Sequence, residues 1–168
     1  MDSKSVFQMG TFDTLSNKIK SELPLEGENP KDVFSELNQL IGKNIVHTDH
    51  PRFFSFIPGS SNYYSVLAET MAVGFNVFAG HWMAGSIAGM IEKRTIEWLT
   101  KIVDYPKNSG GIFLSGGSMA NMSALVAARD NVLKKDFSKG TIYYSSQTHS
   151  SVSKALRIIG FNSDNMRK

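Results

Sequence analysis

A glycine turn followed by a serine is the part of this sequence best suited to binding an anion. The stretch Gly110-Gly-Ile-Phe-Leu-Ser-Gly-Gly-Ser-Met-Ala-Asn121 predicts a short apolar strand, a glycine turn and the start of a helix. Backbone N–H groups at a helix start lack intrahelical partners, and the helix dipole adds partial positive charge, so a phosphate fits against Gly117 and Ser118. The alternative is a purely structural turn in which Ser118 caps the helix.

A second polar turn contains a histidine. The sequence predicts a strand over 141–145 and a helix over 151–159, with His149 in the turn between them. In a parallel α/β sheet, the turns at the carboxyl ends of the strands lie at one edge, where ligands bind. We therefore expect Ser118 and His149 to line one crevice.

Three blocks of sequence together resemble the group II pyridoxal-phosphate decarboxylases, the family of aromatic amino acid and glutamate decarboxylases. They are Ser115-Gly-Gly-Ser-Met-Ala-Asn121, Ser145-Ser-Gln-Thr-His-Ser-Ser-Val152 and His50-Pro-Arg-Phe-Phe-Ser-Phe-Ile-Pro-Gly-Ser-Ser-Asn62. The resemblance runs from about Phe34 to the C-terminus. It implies an α/β fold, with an N-terminal helical segment and the beginning of a fold type I large domain, truncated. It also implies pyridoxal 5'-phosphate as cofactor and decarboxylation of an L-amino acid to the amine and CO2.

The resemblance also implies roles for individual residues. Gly117 and Ser118 would bind the phosphate, and His149 would stack on the pyridine ring and help steer protonation after CO2 leaves. Three residues would face the substrate side chain: Phe56, Ile57 and Pro58. The alternatives are a structural turn histidine for His149 and core residues for Phe53, Phe54 and Phe56. Because Ile57 and Gly59 depart from the aromatic-type pattern, the substrate specificity stays open.

The resemblance divides the chain into two segments. Residues 1–80 would form the helical, substrate-loop and dimerisation segment, and 81–168 the first part of the cofactor-binding domain. Phe78, Gly80 and Trp82 would lie where one subunit of a homodimer approaches the pocket of the other. An apolar helix in a monomer core would have a similar composition.

The sequence lacks the lysine motif of such enzymes. The family's Schiff-base lysine lies in a Pro-His-Lys motif and its pyridinium carboxylate in an Asp-x-Ala motif, and neither motif occurs here. Lys154, in the predicted helix beyond His149, is expected to face solvent. We therefore expect a part of a larger enzyme, inactive alone. The alternatives are a non-catalytic dimerisation or complementing module and a serine hydrolase using Ser118 and His149, although about thirty intervening residues are too few for the hydrolase fold.

Composition narrows the remaining classes of function. The net charge is +3 in 168 residues, without a dense Lys/Arg run, so nucleic-acid binding is not expected. The absence of cysteine excludes disulfides and thiolate metal sites, and fits a cytoplasmic protein. No apolar run approaches the roughly 20 residues of a membrane span. His47-Thr-Asp-His50 offers two metal ligands but no third or fourth, so no metal is predicted.

Other elements follow from hydrophobic periodicity and from Gly and Pro positions. The sequence predicts an N-terminal helix with Phe12, Leu15, Ile19 and Leu23 on one face, a helix from the Asn29-Pro30 cap to Gly42, an ordered loop over 47–64, helices over 66–79, 86–103 and 119–133, and a strand over 112–114.

Overall fold

The computed structural model describes residues 5–19, 22–134, 136–137 and 140–168. Its elements are, in chain order, α1 (Phe12–Ser16), α2 (Pro30–Gly42), α3 (Tyr63–Phe75), α4 (Trp82–Ile102), α5 (Gly117–Val132), β1 (Ile142–Tyr143), α6 (Ser150–Ile158), a 3₁₀ turn (Ser163–Asn165) and β2 (Met166–Arg167). The chain divides into two compact units, Met1–Asn76 and Val77–Lys168. The functions assigned above to residues 1–80 and 81–168 stay predictions.

Helix boundaries in the first unit follow local capping chemistry. α2 spans the predicted residues, because Asn29 accepts a 3.0 Å hydrogen bond from the Lys31 N–H and Pro30 occupies the first helical position. α1 is shorter than predicted: it ends at Ser16, so Ile19 and Leu23 lie beyond it. Ser and Asn, which follow Leu15, compete with the helix by bonding to nearby backbone.

α3 begins three residues before its predicted start. Asn62 and Ser65 form a reciprocal capping box, in which each side chain accepts from the other's backbone N–H. The helix ends four residues before its predicted end, because Asn76 adopts a left-handed conformation with φ 46° and terminates it. The loop before α3 is confirmed, except that the helix begins at Tyr63.

α4 is the longest helix and begins four residues before its predicted start. His81 caps it by accepting a 3.2 Å hydrogen bond from the Met83 N–H. Gly85 interrupts the helical dihedrals with φ −140°, and a Cβ there would lie 2.8 Å from the Phe78 carbonyl oxygen. A glycine is therefore needed where these backbones approach. Among the described residues, no helix is both long and apolar enough to cross a membrane.

The predicted strand over 112–114 is wrong. Within the described residues these positions have no sheet partner; instead, the Phe113 N–H donates a 2.7 Å hydrogen bond to Glu92 Oε1. A β-strand forms only where a neighbouring strand completes its backbone hydrogen bonds. The apolar composition of a segment does not show whether such a neighbour exists. The parallel arrangement is confirmed elsewhere, because β1 pairs with β2 in parallel with Ile142 opposite Met166. The sequence predicts β1 but not β2.

The core lies in the second unit. Leu156 is fully buried, and Ile159 and Phe161 are nearly so; residues of α5 and both strands pack against them. α5 packs on α6 across this core. Large apolar side chains stay exposed in both units, including Leu25, Phe54, Ile57, Trp82 and Met83.

Candidate functional site

The N-terminus of α5 is open. Its N-cap residue is Gly116, with φ 157° and ψ 172°, a backbone region used almost only by glycine. The alternative of a Ser118 cap is wrong, because among the described residues no side chain caps α5. Each other described α-helix has a side-chain cap from one of five residues, namely Thr11, Asn29, Asn62, His81 and His149.

The uncapped end presents unpaired donors. The first hydrogen bond of α5 joins the Ala120 N–H to the Gly116 carbonyl at 3.0 Å. Within the described part of the chain, the three preceding N–H groups, of Gly117, Ser118 and Met119, have no hydrogen-bond acceptor. A Cβ added at Gly116 or Gly117 would meet nothing within 4 Å, so there is room for a ligand. These N–H groups, the Ser118 hydroxyl and the helix dipole form a donor set suited to phosphate oxygens.

His149 lies beside this end of α5. It is the N-cap of α6, and its Nδ1 accepts a 3.2 Å hydrogen bond from the Ser151 N–H. The imidazole is exposed. Ser118 and His149 line one cavity of about 240 Å³. The structure therefore brings the two polar turns together, and the roles of their residues stay predictions.

Two further polar residues complete the cavity's surroundings. Ser151 Oγ lies 2.8 Å from His149 Nδ1 and accepts a 2.8 Å hydrogen bond from Asn121 Nδ2. Sequence reasoning missed this connection, because Asn121 and Ser151 are 30 residues apart and no local pattern joins them. Lys154 is exposed, as its helix predicts, and it also lines the cavity.

The predicted substrate residues lie in the loop before α3. Phe56, Ile57 and Pro58 are all exposed, Ile57 almost completely. The alternative of a core role is wrong for Phe54 and Phe56, which are exposed, whereas Phe53 is half-buried. Phe56 has φ 63°, a left-handed conformation that is strained for an aromatic residue. Strained backbone of this kind clusters at active sites and ligand-binding loops. Their contact with substrate stays a prediction.

The remaining candidate residues lie outside this cavity or fail to form a site. Phe78 and Trp82 are exposed at the start of the second unit, and their role in a dimer stays a prediction. Around His47 and His50, as elsewhere in the described residues, no group of three or more potential metal ligands is found. The hydrolase hypothesis gains no support, since no hydrogen bond joins Ser118 to His149 within the described ranges and His149 Nδ1 is engaged by Ser151.

Comparison with known proteins gives one consistent family. Residues 13–168 match the model described as the pyridoxal-dependent decarboxylase conserved domain. The aromatic-L-amino-acid decarboxylase of Bacillus atrophaeus is 43% identical over 161 residues, covering 96% of this chain and 34% of that protein. The chain thus spans about a third of the length of the curated relatives that it matches.

Solved structures agree with this match. The 4-hydroxyphenylacetaldehyde synthase of Rhodiola rosea superposes with a TM-score of 0.87 at 25% identity, over 99% of this chain and 38% of that one. Oryza sativa TDC, solved with PLP and tryptamine, gives a TM-score of 0.85 at 25% identity, over 97% and 38%. The fold is therefore that of a fold type I piece with an N-terminal helical segment, as predicted, and the chain belongs to the pyridoxal-dependent decarboxylase family.

Proposed function

We propose that this chain binds the phosphate of pyridoxal 5'-phosphate and forms part of an enzyme that decarboxylates an L-amino acid to its amine and CO2. The observation that carries the proposal is the uncapped N-terminus of α5. Its residue Ser118 lines the same cavity as His149. The residues present fit the cofactor, because three backbone N–H groups without an acceptor in the described part of the chain, together with a hydroxyl, match the acceptor oxygens of a phosphate ester.

The chain's own residues divide the work of binding and proton control. When bound, pyridoxal phosphate supplies an electron sink for the negative charge left after CO2 departs. The backbone at Gly117 and the Ser118 hydroxyl bind the phosphate and so fix the cofactor's position. The exposed His149 would stack its imidazole against the pyridine ring. Its Nε2, which has no hydrogen-bond partner among the described residues, holds a proton near the reacting centre.

The substrate class and the assembly are part of the proposal. An aromatic L-amino acid is favoured as the substrate. The relative from Bacillus atrophaeus is named an aromatic-L-amino-acid decarboxylase, and the Phe56–Pro58 loop is apolar. Exposed apolar residues, among them Phe78 and Trp82, support a homodimer, because burying them in an interface would remove apolar surface from water. The Schiff-base lysine would come from outside the 168 residues.

Aldehyde formation is a second candidate reaction. The Rhodiola rosea structure that resembles this chain is named a 4-hydroxyphenylacetaldehyde synthase. Because the chain resembles proteins named for both activities, only a measurement of the product, amine or aldehyde, distinguishes the two candidates. The serine-hydrolase and non-catalytic alternatives gain no support from these relatives.

The test is a product assay on the polypeptide isolated at its native length from its source cells. We expect release of CO2 and an amine from an aromatic L-amino acid in the presence of pyridoxal phosphate. Release of CO2 with an aldehyde would favour the second candidate, and absence of both products across all amino acids would contradict the proposal. The purified 168-residue chain serves as the control, and we expect it to release no amine.

A further inference from the structure

A hydrogen-bonded chain of side chains links α5 to the imidazole of His149. Asn121 Nδ2 lies 2.8 Å from Ser151 Oγ, which in turn lies 2.8 Å from His149 Nδ1. Ser151 is only 6% exposed, so water does not replace these bonds easily. The bond between Asn121 and Ser151 therefore joins the two helices that border the cavity, and Ser151 Oγ connects it to the ring nitrogen of His149.

The direction of each hydrogen bond follows from the groups present. The backbone N–H of Ser151 can only donate, and it donates to His149 Nδ1 at 3.2 Å, so this nitrogen is an acceptor and carries no proton. Ser151 Oγ, at 2.8 Å from the same acceptor, must then donate its proton to Nδ1. Its lone pair is left to accept from the amide of Asn121, whose NH₂ group can only donate. One arrangement therefore accommodates all three contacts, with the single lone pair of Nδ1 shared between the two donors of Ser151.

We propose that Asn121 and Ser151 are positioning residues that hold His149 as its Nε2–H tautomer, with the ring fixed beside the Ser118 cavity. The proton of the neutral imidazole then lies on Nε2, the nitrogen with no hydrogen-bond partner among the described residues. Partners of one ring nitrogen commonly set the state of the other in this way. The benefit to decarboxylation rests on the proposed function, whereas the tautomer itself does not depend on a bound cofactor.

The chain contains its own reference for this effect. His81 caps α4 through the same type of bond, from the Met83 N–H to Nδ1 at 3.2 Å. Unlike His149, it has no serine hydroxyl as a second donor among the described residues. The difference between the two histidines therefore isolates the contribution of Ser151 Oγ and, through it, of Asn121.

The test is long-range ¹H–¹⁵N NMR of the imidazoles in the histidine-labelled protein at about pH 8.5, where an ordinary histidine is neutral. We expect the Nδ1 of His149 to give the shift of an unprotonated nitrogen and Nε2 that of a protonated one, with less tautomer averaging than in His81. A wild-type His149 protonated on Nδ1 would overturn the proposal without any variant.

Two substitutions separate positioning from mere structural support. Ser151→Ala removes the second donor, and the His149 signals should become like those of His81. Asn121→Asp is nearly isosteric but only accepts, so it turns the Ser151 proton away from His149 and should shift its Nδ1 signal toward the protonated value. The matched controls Ser153→Ala, on the same helix, and Asn131→Asp, at the far end of α5, should leave His149 unchanged.

The outcomes distinguish this inference from the proposed function. Unchanged His149 signals in Asn121→Asp, with the variant folded, would overturn the positioning role. Titration of the same samples with pyridoxal phosphate reports on the function separately. If the cofactor does not bind while the tautomer is as expected, the proposed function fails and the positioning role stands. If Ser151→Ala does not fold, the wild-type spectrum and Asn121→Asp still decide the matter.

Discussion

Replacing Ser118 with aspartate should change helix stability and cofactor binding in opposite directions. Ser118 is exposed in the first turn of α5, whose N–H groups are uncapped. A negative charge at this end of a helix is favourable by about 0.5 kcal/mol. For a unit of this size, that corresponds to an increase in Tm of roughly 2–4 °C. If the turn were only structural, the substitution would give this small stabilisation and leave cofactor binding unchanged.

The same charge should oppose a bound phosphate. Two unit charges about 4 Å apart repel by about 1 kcal/mol in water, and a phosphate ester carries close to two negative charges, so the repulsion is about 2 kcal/mol. Loss of the serine hydroxyl removes about 1 kcal/mol more. The sum of about 3 kcal/mol corresponds to a Kd for pyridoxal phosphate raised on the order of 100-fold. Pyridoxal, which has no phosphate, should lose far less affinity.

The assay is a pair of binding titrations combined with thermal unfolding. Asn131→Asp is the matched control, because it adds the same charge in the last turn of α5, about 20 Å away and beyond the screening length. There the charge opposes the helix dipole, so this variant should be slightly destabilised and bind pyridoxal phosphate normally. Wild-type affinity of Ser118→Asp for pyridoxal phosphate, or an equal loss of affinity for both ligands, would refute a phosphate site at this helix end.

Three further substitutions test the framework of the site, each by chemical denaturation. Gly116→Ala should lower the free energy of unfolding by about 1–3 kcal/mol because of its φ of 157°. Gly117→Ala, with equally open space around its Cβ, should be nearly neutral, and equal effects would contradict the backbone argument. Glu92→Ala should cost about 1 kcal/mol, because its carboxylate accepts the 2.7 Å hydrogen bond that replaces sheet pairing, and no loss would remove that explanation. Leu156→Ala should lower the free energy of unfolding by about 2–5 kcal/mol, since its side chain is fully buried. Ile158→Ala, at an exposed position of the same helix, should lower it by well under half as much. Similar losses would mean that the core lies elsewhere.

Local signals were predicted well from the sequence, and distant partners were not. The start of α2 followed from Asn29 and Pro30, because a cap and a fixed φ act within one helical turn. The strand over 112–114 was wrong, because pairing depends on a neighbour that apolar composition does not reveal. β2 was missed, because two residues, Met166 and Arg167, carry no periodicity.

The same distinction holds at the candidate site. Gly117 and His149 stood out, because a glycine turn and a turn histidine are visible in short segments of sequence. Ser151 did not, because its importance depends on its contact with Asn121, 30 residues away in the chain. The absence of a cap on α5 was also hidden, since Ser118 is a good capping residue by type and only the backbone geometry shows that Gly116 occupies that position.

Cofactor binding at the start of α5 is tested most simply by titrating the ¹⁵N-labelled chain with pyridoxal phosphate and following the titration by NMR. We expect the largest shifts at the backbone amides of Gly117, Ser118 and Met119 and at the imidazole of His149. Inorganic phosphate should shift the three amides but not the imidazole ring. No binding, or shifts that avoid the start of α5, would show that this helix end does not bind the cofactor phosphate.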